Sequence, residues 1–521
     1  MRKSSVGIAT CLAVALVASG NVAAKGKKGR EAPSEVKTPP SLRPIHSIDI
    51  SSSRVEDLTR MLEKAKKDDE GKTFGREYSS SYYLGHSYSS GYGSSYSSSA
   101  KVVTEPHETG LEKYDVRIAV CGSSMEPSRD AIAEDLRNIG RLAARKGFAL
   151  LTGGGDGHPR VAAKYASLNS GMTVAFPQHA GRSQDYQKVV YDTQSTTIGR
   201  ESALTQQGNI LAIVNGSTGT LGELLGGMYS PHVIALDKHS GGVADLAMKG
   251  IIPYIDLPDY VHVIEHENME TLLTAAVVEL DKIPGAKKFP ERHELARLEH
   301  HDVFRSSAYK MREEHSVVTL LVNDNKKNPL SKMDRKKVDR FAELINHFAF
   351  VGDSTAGIRN TVVVPDRDGL TAELAKKAAA SGAYVVRVSH KKVAGQGPVK
   401  EDGITTVYLG KGEAQGEFAA QRELVENARV VFVAGGDFKT LSAVVHALSE
   451  DTTIAVLETE GGVSGHLKNI LTTLDKGTRA RLVYDDDPDR LFLETRRSIE
   501  ERQKEARRRA EEAARRERER D

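Results

Sequence analysis

From Val116 onward the chain alternates short apolar runs with stretches of helical spacing. "VRIAVCGSS" is a strand-like run that ends in small residues. "SRDAIAEDLRNIGRLAARKG" puts Ile132, Leu136, Ile139, Leu142 and Ala143 on one helical face and stops at Gly147. "FALLTGGG" is a second strand with a Gly turn, "RVAAKYASLNSG" a helix, and "MTVAFP", "NILAIVNGSTG" and "HVIALD" three further strands. Strands alternating with helices of this length predict an α/β fold with a doubly wound parallel sheet. Ligands on such sheets sit at the carboxyl ends of the strands. The turns Cys121-Gly122-Ser123-Ser124, Gly153-Gly154-Gly155 and Asn215 to Thr220 all fall there, so they should converge on one cleft.

The pattern then repeats. "SVVTLLVND" parallels "VRIAVCGSS", and "SKMDRKKVDRFAELINHFAFVGDSTAG" parallels the helix, strand and Gly turn that follow it. "LAKKAAASGAYVVRVS", "ARVVFVAGGDFKTLSAVVHAL" and "ARLVYDDDPDRLFLE" parallel later elements in the same order. Two tandem copies of one domain are expected, at 111–286 and 316–495, joined by a linker helix at 287–315.

The flanks have another texture. Residues 25–110 lack core-forming patterns, and "YSSSYYLGHSYSSGYGSSYSSSA" offers almost no aliphatic side chains. A disordered linker is the preferred reading; a tyrosine tract that stacks on glycans or on itself is the alternative. Residues 496–521 are nearly all Arg, Glu and Ala, with i,i+4 pairs at Glu500/Lys504, Glu505/Arg509, Glu511/Arg515 and Glu512/Arg516. A solvated charged helix is expected, with a partner- or polyanion-binding arm as the lesser alternative.

Composition narrows the class. The 521 residues allow about three domains at roughly 150 residues each. With 73 basic and 71 acidic residues the net charge is +2, which argues against a globally electrostatic nucleic-acid binder. Arg2 and Lys3, an apolar stretch from Val6 to Val17 and the small residues Val22-Ala23-Ala24 read as a signal peptide over residues 1–24. An uncleaved anchor is the alternative. The mature chain is then exported, to the periplasm or beyond, has no membrane span, and retains one of its 2 cysteines, Cys121, so it forms no internal disulfide.

The chemistry gathers at two turns. Gly-rich turns before helices present free N–H groups and a positive dipole end to an anion. Gly153 to Gly155 and Gly216-Ser217-Thr218-Gly219-Thr220 both fit, and the second is followed by a carboxylate, Glu223, in what reads as the first helical turn. "AVCGSS", "LLTGGGDG" and "IGRESALTQQGNILAIVNGSTGTLGEL" together resemble the LONELY GUY family, long mislabelled as lysine decarboxylases. The resemblance covers roughly residues 116–280 and is weaker in the second copy. It implies a Rossmann-like fold and hydrolysis of the N-glycosidic bond of a nucleoside 5′-monophosphate. It implies catalytic roles for Arg200 and Glu223, and a 5′-phosphate held by Gly216, Gly219 and Thr220. The chemistry suits these groups: an oxocarbenium-like state needs a carboxylate and a positioned water, and Arg200 beside Glu223 would hold it ionised.

The sequence departs from the family at Asn215, where the family has Pro, and at Ser217, where it has Gly. If position 217 needs positive φ, Ser costs about 1 kcal/mol or more. "HPRVAA" replaces a Gly-rich segment, and Arg160 there is either a new phosphate contact or a plain helix-start residue. In the second copy Ala443 stands at the Glu position, Lys439 replaces a Gly, Arg422 falls out of register and "VGDSTAG" replaces the triple Gly. No catalysis is expected there. Because the family's members are usually dimers, the two copies should form an intramolecular pseudo-dimer, with further homodimerisation open. "EHHDVF" (Glu299 to Phe304) reads as charged linker rather than metal site. The expectation is an exported phosphoribohydrolase-like protein that takes an AMP-like nucleotide, with no metal, no cofactor and no nucleic acid. The alternatives are a non-catalytic nucleotide sensor and an envelope scaffold.

Overall fold

The computed structural model describes residues 100–288 and 315–519, apart from 104–105, 178–185, 192–196, 325–328, 352–358, 390–398, 409–412, 427 and 475–477. The Tyr/Ser tract, the signal-like segment, most of the linker helix and "EHHDVF" lie outside the described residues. No described helix is long and apolar enough to cross a membrane.

The first sheet has eight strands, all parallel, in the order β1-β5-β4-β3-β2-β6-β7-β8. They are β1 Lys101–Val103, β2 Arg117–Gly122, β3 Ala149–Thr152, β4 Met172–Ala175, β5 Val189–Tyr191, β6 Ile210–Val214, β7 His232–Asp237 and β8 Val261–His266. The main helices are α1 Asp130–Lys146, α2 His158–Leu168, α3 Thr197–Gln207, α4 Thr218–Gly227, α5 Gly242–Leu246 and α6 Met269–Leu280. The apolar runs of β2 and β6 are continuous because helices cover both faces of the sheet. Gly147 ends α1 in the left-handed conformation, φ 68°, and returns its N–H to Ala143 and Ala144.

The second sheet runs β12-β13-β11-β10-β9-β14-β15-β16. Its strands are β9 His315–Asn323, β10 Arg359–Pro365, β11 Tyr384–Ser389, β12 Val399–Glu401, β13 Ile404–Tyr408, β14 Val430–Gly435, β15 Thr453–Leu457 and β16 Arg481–Asp485. Only the β12–β13 pairing is antiparallel. Its helices are α7 Lys332–Val351, α8 Leu370–Ala380, α9 Glu413–Val425, α10 Phe438–Ala447, α11 Ser464–Thr473 and α12 Pro488–Arg518. With β2, β3, β4, β5, β6, β7 and β8 set against β9, β10, β11, β13, β14, β15 and β16, the two sheets share one core order, and only the edge strands β1 and β12 differ. The α/β reading, with two doubly wound Rossmann-like sheets and a charged helix at the end, is the observed architecture.

Three expectations change. Strand β1 lies inside the stretch assigned to disordered linker and pairs with β5, Lys101 opposite Val189. Three residues carry too little periodicity to announce an edge strand. "FAFV" of residues 348–351 is the end of α7 rather than a strand, because no Gly or Pro interrupts the sequence from Lys332 to Val351. The second strand of that sheet is the β-branched run "RNTVVVP". Finally, the charged tail is no separate helix. It continues α12, whose Leu491, Thr495 and Ile499 are buried before the helix emerges into solvent. Glu505/Arg509 pairs as expected at 2.7 Å, whereas Glu500 pairs with Arg496 and Glu512 with Arg508.

The sheets join through α3 and α4 of the first and α9 and α10 of the second, which share one apolar core. Tyr229 sits between Phe418 and Phe438, with ring centroids at 5.4 and 5.2 Å. Tyr254 stacks on His466 at 3.5 Å. Position 226 is Gly where Phe418 approaches: a Cβ there would meet that ring at 3.4 Å.

Candidate active site

The first domain brings its strand-end turns together by direct backbone contact. The Ser123 carbonyl accepts from the His158 N–H at 2.9 Å, and a Cβ at Gly157, φ 76°, would strike the Ser123–Met125 backbone. Ser124 is exposed, and the Ser123 hydroxyl accepts from the Met125 N–H at 3.0 Å. His158 Nδ1 lies 3.1 Å from the Val214 carbonyl, and burial lowers its pKa. Arg160 pairs with Asp156 at 3.7 Å, in keeping with the helix-start reading.

The loop after β6 carries the backbone tension. Asn215 (φ 58°) and Gly216 (φ 103°) are the left-handed pair. A Cβ at Gly216 would lie 2.2 Å from Thr220 Oγ1, so that position requires glycine. Asn215 tolerates the conformation by accepting the Gly216 N–H on its own side chain at 2.7 Å. Ser217 is extended, φ −136°, so the anticipated cost of Ser in place of Gly does not arise.

Ser217 is also the N-cap of α4, yet its side chain makes no capping bond. The first amide to find a carbonyl inside the helix is Leu221, which donates to Ser217 at 2.9 Å. The amides of Thr218, Gly219 and Thr220 precede it, with no intrahelical acceptor of their own. Ser217 and Gly219 are exposed, and Thr220 is buried beneath them. This uncapped helix start is the candidate anion cradle.

Glu223 lies in the second turn of α4, not the first, so it does not answer the helix dipole. Its side chain is 9% exposed and faces Arg200 from α3, Oε1 to Nη2 3.5 Å. Both flank the triple-Gly turn: a Cβ at Gly153 would meet Arg200 Nη1 at 3.4 Å and Glu223 Oε1 at 3.8 Å. Gly153 is buried, Gly154 half-buried and Gly155 exposed, so the turn descends into the cleft. Arg200 Nε is buried without a hydrogen-bond acceptor.

Two groups that sequence reasoning missed, or cast in another role, complete the site. Glu201 is 4% exposed; its Oε1 lies 3.7 Å from Arg200 Nη2, and its Oε2 lies where Gly222 leaves room for it. Burial pushes its pKa up to about 8, against the opposing pull of Arg200 and, from the second domain, Arg422. The adjacent pair Arg200-Glu201 was visible, but nothing local shows that both point inward. Cys121, expected at the nucleotide, is fully buried beside Glu223. Burial and the neighbouring Glu223 push that thiol well above its ordinary range, which does not suit a nucleophile. Glu223 itself is raised to about 7 by burial, opposed by Arg200 and the thiol. Arg200, Glu201 and Glu223 therefore form one cationic and two buried acidic groups at the foot of the cradle. Among the described residues no cluster of three His, Cys, Asp or Glu side chains has metal-site geometry.

The second domain repeats the loop and loses the chemistry. Gly435 (φ 63°) and Gly436 (φ 93°) match Asn215 and Gly216, and a Cβ at Gly436 would collide with Thr440. Continuing this alignment without a gap sets Ala420 against Arg200, Gln421 against Glu201, Asp437 against Ser217 and Ala443 against Glu223. The triple Gly corresponds not to "VGDSTAG" but to Pro365-Asp366-Arg367, because Gly369 (φ 74°) opens α8 as Gly157 opens α2. Asp437 caps α10, accepting from the Lys439 and Thr440 amides at 3.0 and 3.1 Å, and Arg367 clamps it at 3.1 Å.

The fold and this site define the first domain as Rossmann-like, with a phosphate-type turn and an Arg–Glu pair at its strand ends. Residues 115–256 match the model of the SLOG cluster4 family. That fold is consistent with a nucleotide-related function. No curated protein matches the chain. Among solved structures, the molybdenum cofactor binding protein from Rippkaea orientalis is similar at 19% identity and TM-score 0.26, over 32% of this chain and 95% of its own. The molybdenum cofactor carrier protein MCP from Chlamydomonas reinhardtii gives 20% and 0.25, over 32% and 97%. DNA processing protein A from Helicobacter pylori, described for its single-stranded DNA binding, gives 12% and 0.26, over 34% and 86%. No activity passes from them to this chain.

Proposed function

We propose that the first domain binds a nucleoside 5′-monophosphate and hydrolyses its N-glycosidic bond. The phosphate sits on the uncapped N-terminus of α4, against the Thr218, Gly219 and Thr220 amides. The sugar then lies over Gly153, between the cradle and the Arg200–Glu223 pair. Ionised Glu223 stabilises the oxocarbenium-like state or takes the proton of the attacking water, while water adds to the sugar carbon and the base departs. Arg200 holds Glu223 in place. The observation that carries this reading is the meeting of Arg200, Glu223 and Gly153 at the foot of an open anion cradle. The second domain serves as the packed partner of a pseudo-dimer, with its own cradle closed.

The test is free base released from a panel of nucleoside 5′-monophosphates by the full chain and by Glu223→Gln. Turnover that the variant loses supports the hydrolase. Saturable AMP binding without turnover makes this a nucleotide sensor, a reading favoured by the depth at which Glu223 is buried. Neither result would sink both. Export follows from residues 1–24 as a cleaved signal, and N-terminal sequencing of the protein from its host's envelope fraction tests it: an intact Met1 opposes it.

A further inference from the structure

We propose that Ser240, on the loop after β7, is a positioning residue for the phosphate: its hydroxyl holds the left-handed turn from which the α4 amides are presented. The inference rests on the phosphate site proposed above and names the group that keeps that site in shape.

The loop from Asp237 to Gly242 packs against Asn215 and Gly216. The Asn215 N–H donates to Ser240 Oγ at 2.8 Å. Ser240 Oγ donates in turn to the Asp237 carbonyl at 3.0 Å, so its one proton is committed and a lone pair is left for Asn215. Ser240 is 1% exposed, so water does not compete for these bonds. Asp237 ends β7, and its carboxylate accepts the His239 N–H at 3.1 Å, which ties the loop to the sheet. The approach is close. A Cβ at Gly242, φ 57°, would collide with the Asn215 side chain and lie 2.9 Å from the Gly216 carbonyl oxygen.

Three contacts lead from Ser240 to the cradle. Ser240 takes the Asn215 N–H, Asn215 Oδ1 takes the Gly216 N–H at 2.7 Å, and Gly216 lies against Thr220. Thr220 carries one of the three amides that precede the first intrahelical bond of α4. Asn215 bears a Cβ at φ 58°, a conformation that such residues adopt only with support from their surroundings. Ser240 supplies part of that support.

The second domain repeats the device and provides its control. The Gly435 N–H donates to Ser464 Oγ at 2.8 Å, Ser464 Oγ lies 2.7 Å from Thr459 Oγ1, and a Cβ at Gly462 would collide with Gly435. Two differences matter. The left-handed residue there is glycine, which holds φ 63° without penalty, and Asp437 caps the helix that follows. The two serines accept the same kind of bond, and only Ser240 stands behind an uncapped helix start.

Calorimetry with AMP and with ribose 5-phosphate, alongside thermal melting, tests this on the full chain. Ser240→Ala should weaken both ligands about five-fold, the scale of one neutral hydrogen bond. Ser240→Thr, which keeps the hydroxyl, should recover affinity to within about two-fold of the parent. Ser464→Ala should lower Tm by about as much as Ser240→Ala and leave both affinities unchanged. Equal affinity in the parent and Ser240→Ala overturns the proposal while the phosphate site stands. An equal loss of affinity in Ser464→Ala overturns it as well, because the effect is then general destabilisation. Binding of neither ligand by the parent overturns the phosphate site, and this proposal with it. Should Ser240→Ala not fold, Ser240→Cys, close in size and a poor acceptor, should show the same loss, and parent-like affinity in it overturns the proposal.

Discussion

Ser217 and Asp437 occupy the same position, one residue ahead of equivalent helices, and only Asp437 caps its helix. One loop geometry, with matched left-handed residues before it, therefore leaves the helix-start amides uncapped in the first domain and capped in the second. The difference is a side-chain carboxylate standing where a ligand phosphate would stand.

Copying that feature should close the first site. Ser217→Asp is expected to stabilise α4 by about 1 kcal/mol through a capping bond and to weaken AMP binding about ten-fold or more. Thermal melting and calorimetry on one sample read both. Unchanged AMP affinity in a stabilised variant would place the phosphate elsewhere.

In the proposed hydrolysis, Glu223 sets the pH dependence of turnover. Burial raises it to about 7, and the working form is ionised, so kcat/KM should rise with pH through about 7. Arg200 pulls that value down, so Arg200→Ala should move the rising limb to higher pH as well as lower the rate. A rate that falls across the same range would make Glu223 the proton donor instead.

Two glycines in the loop should respond oppositely to alanine. Gly216→Ala meets Thr220 at 2.2 Å with φ 103°, and should cost about 1–3 kcal/mol. Gly219 has nothing within 4 Å of its missing Cβ, so Gly219→Ala should be neutral or stabilising by up to about 1 kcal/mol. Urea denaturation of the pair checks the contrast.

Glu201 links stability to pH. In the folded chain it keeps its proton up to about 8, whereas an unfolded glutamate releases it near 4.5. Between those values the folded state binds more protons, so this group's contribution falls as pH rises from about 4.5 to about 8 and is level outside that window. Glu201→Gln should therefore raise Tm relative to the parent at pH 8 more than at pH 5. An equal shift at both pH values would show that the side chain is ionised in the fold.

Tyr229 tests the joint between the domains. It is 4% exposed and packed by Phe418 and Phe438. Tyr229→Ala should cost about 3–5 kcal/mol and split a single calorimetric transition into two. A single transition with unchanged Tm would mean the interface contributes little.

The sequence alone determined what depends on neighbours along the chain. Its alternation of apolar runs and helical spacing set the α/β class, and its Gly turns marked the strand ends. "NGSTGTLGEL" located the left-handed turn and the helix start after β6, because φ preferences and helix starts are local properties. The same logic failed where local signals tie: "FAFV" suits strand or helix equally, and three-residue β1 has no period. Tertiary structure decided the rest. It matched Pro365-Asp366-Arg367 in position to the triple Gly, set Arg200 and Glu201 against Glu223, brought Cys121 beside Glu223 and let Arg367 clamp Asp437. These contacts join residues tens of positions apart, and only the packing of strands and helices brings them within range of one another.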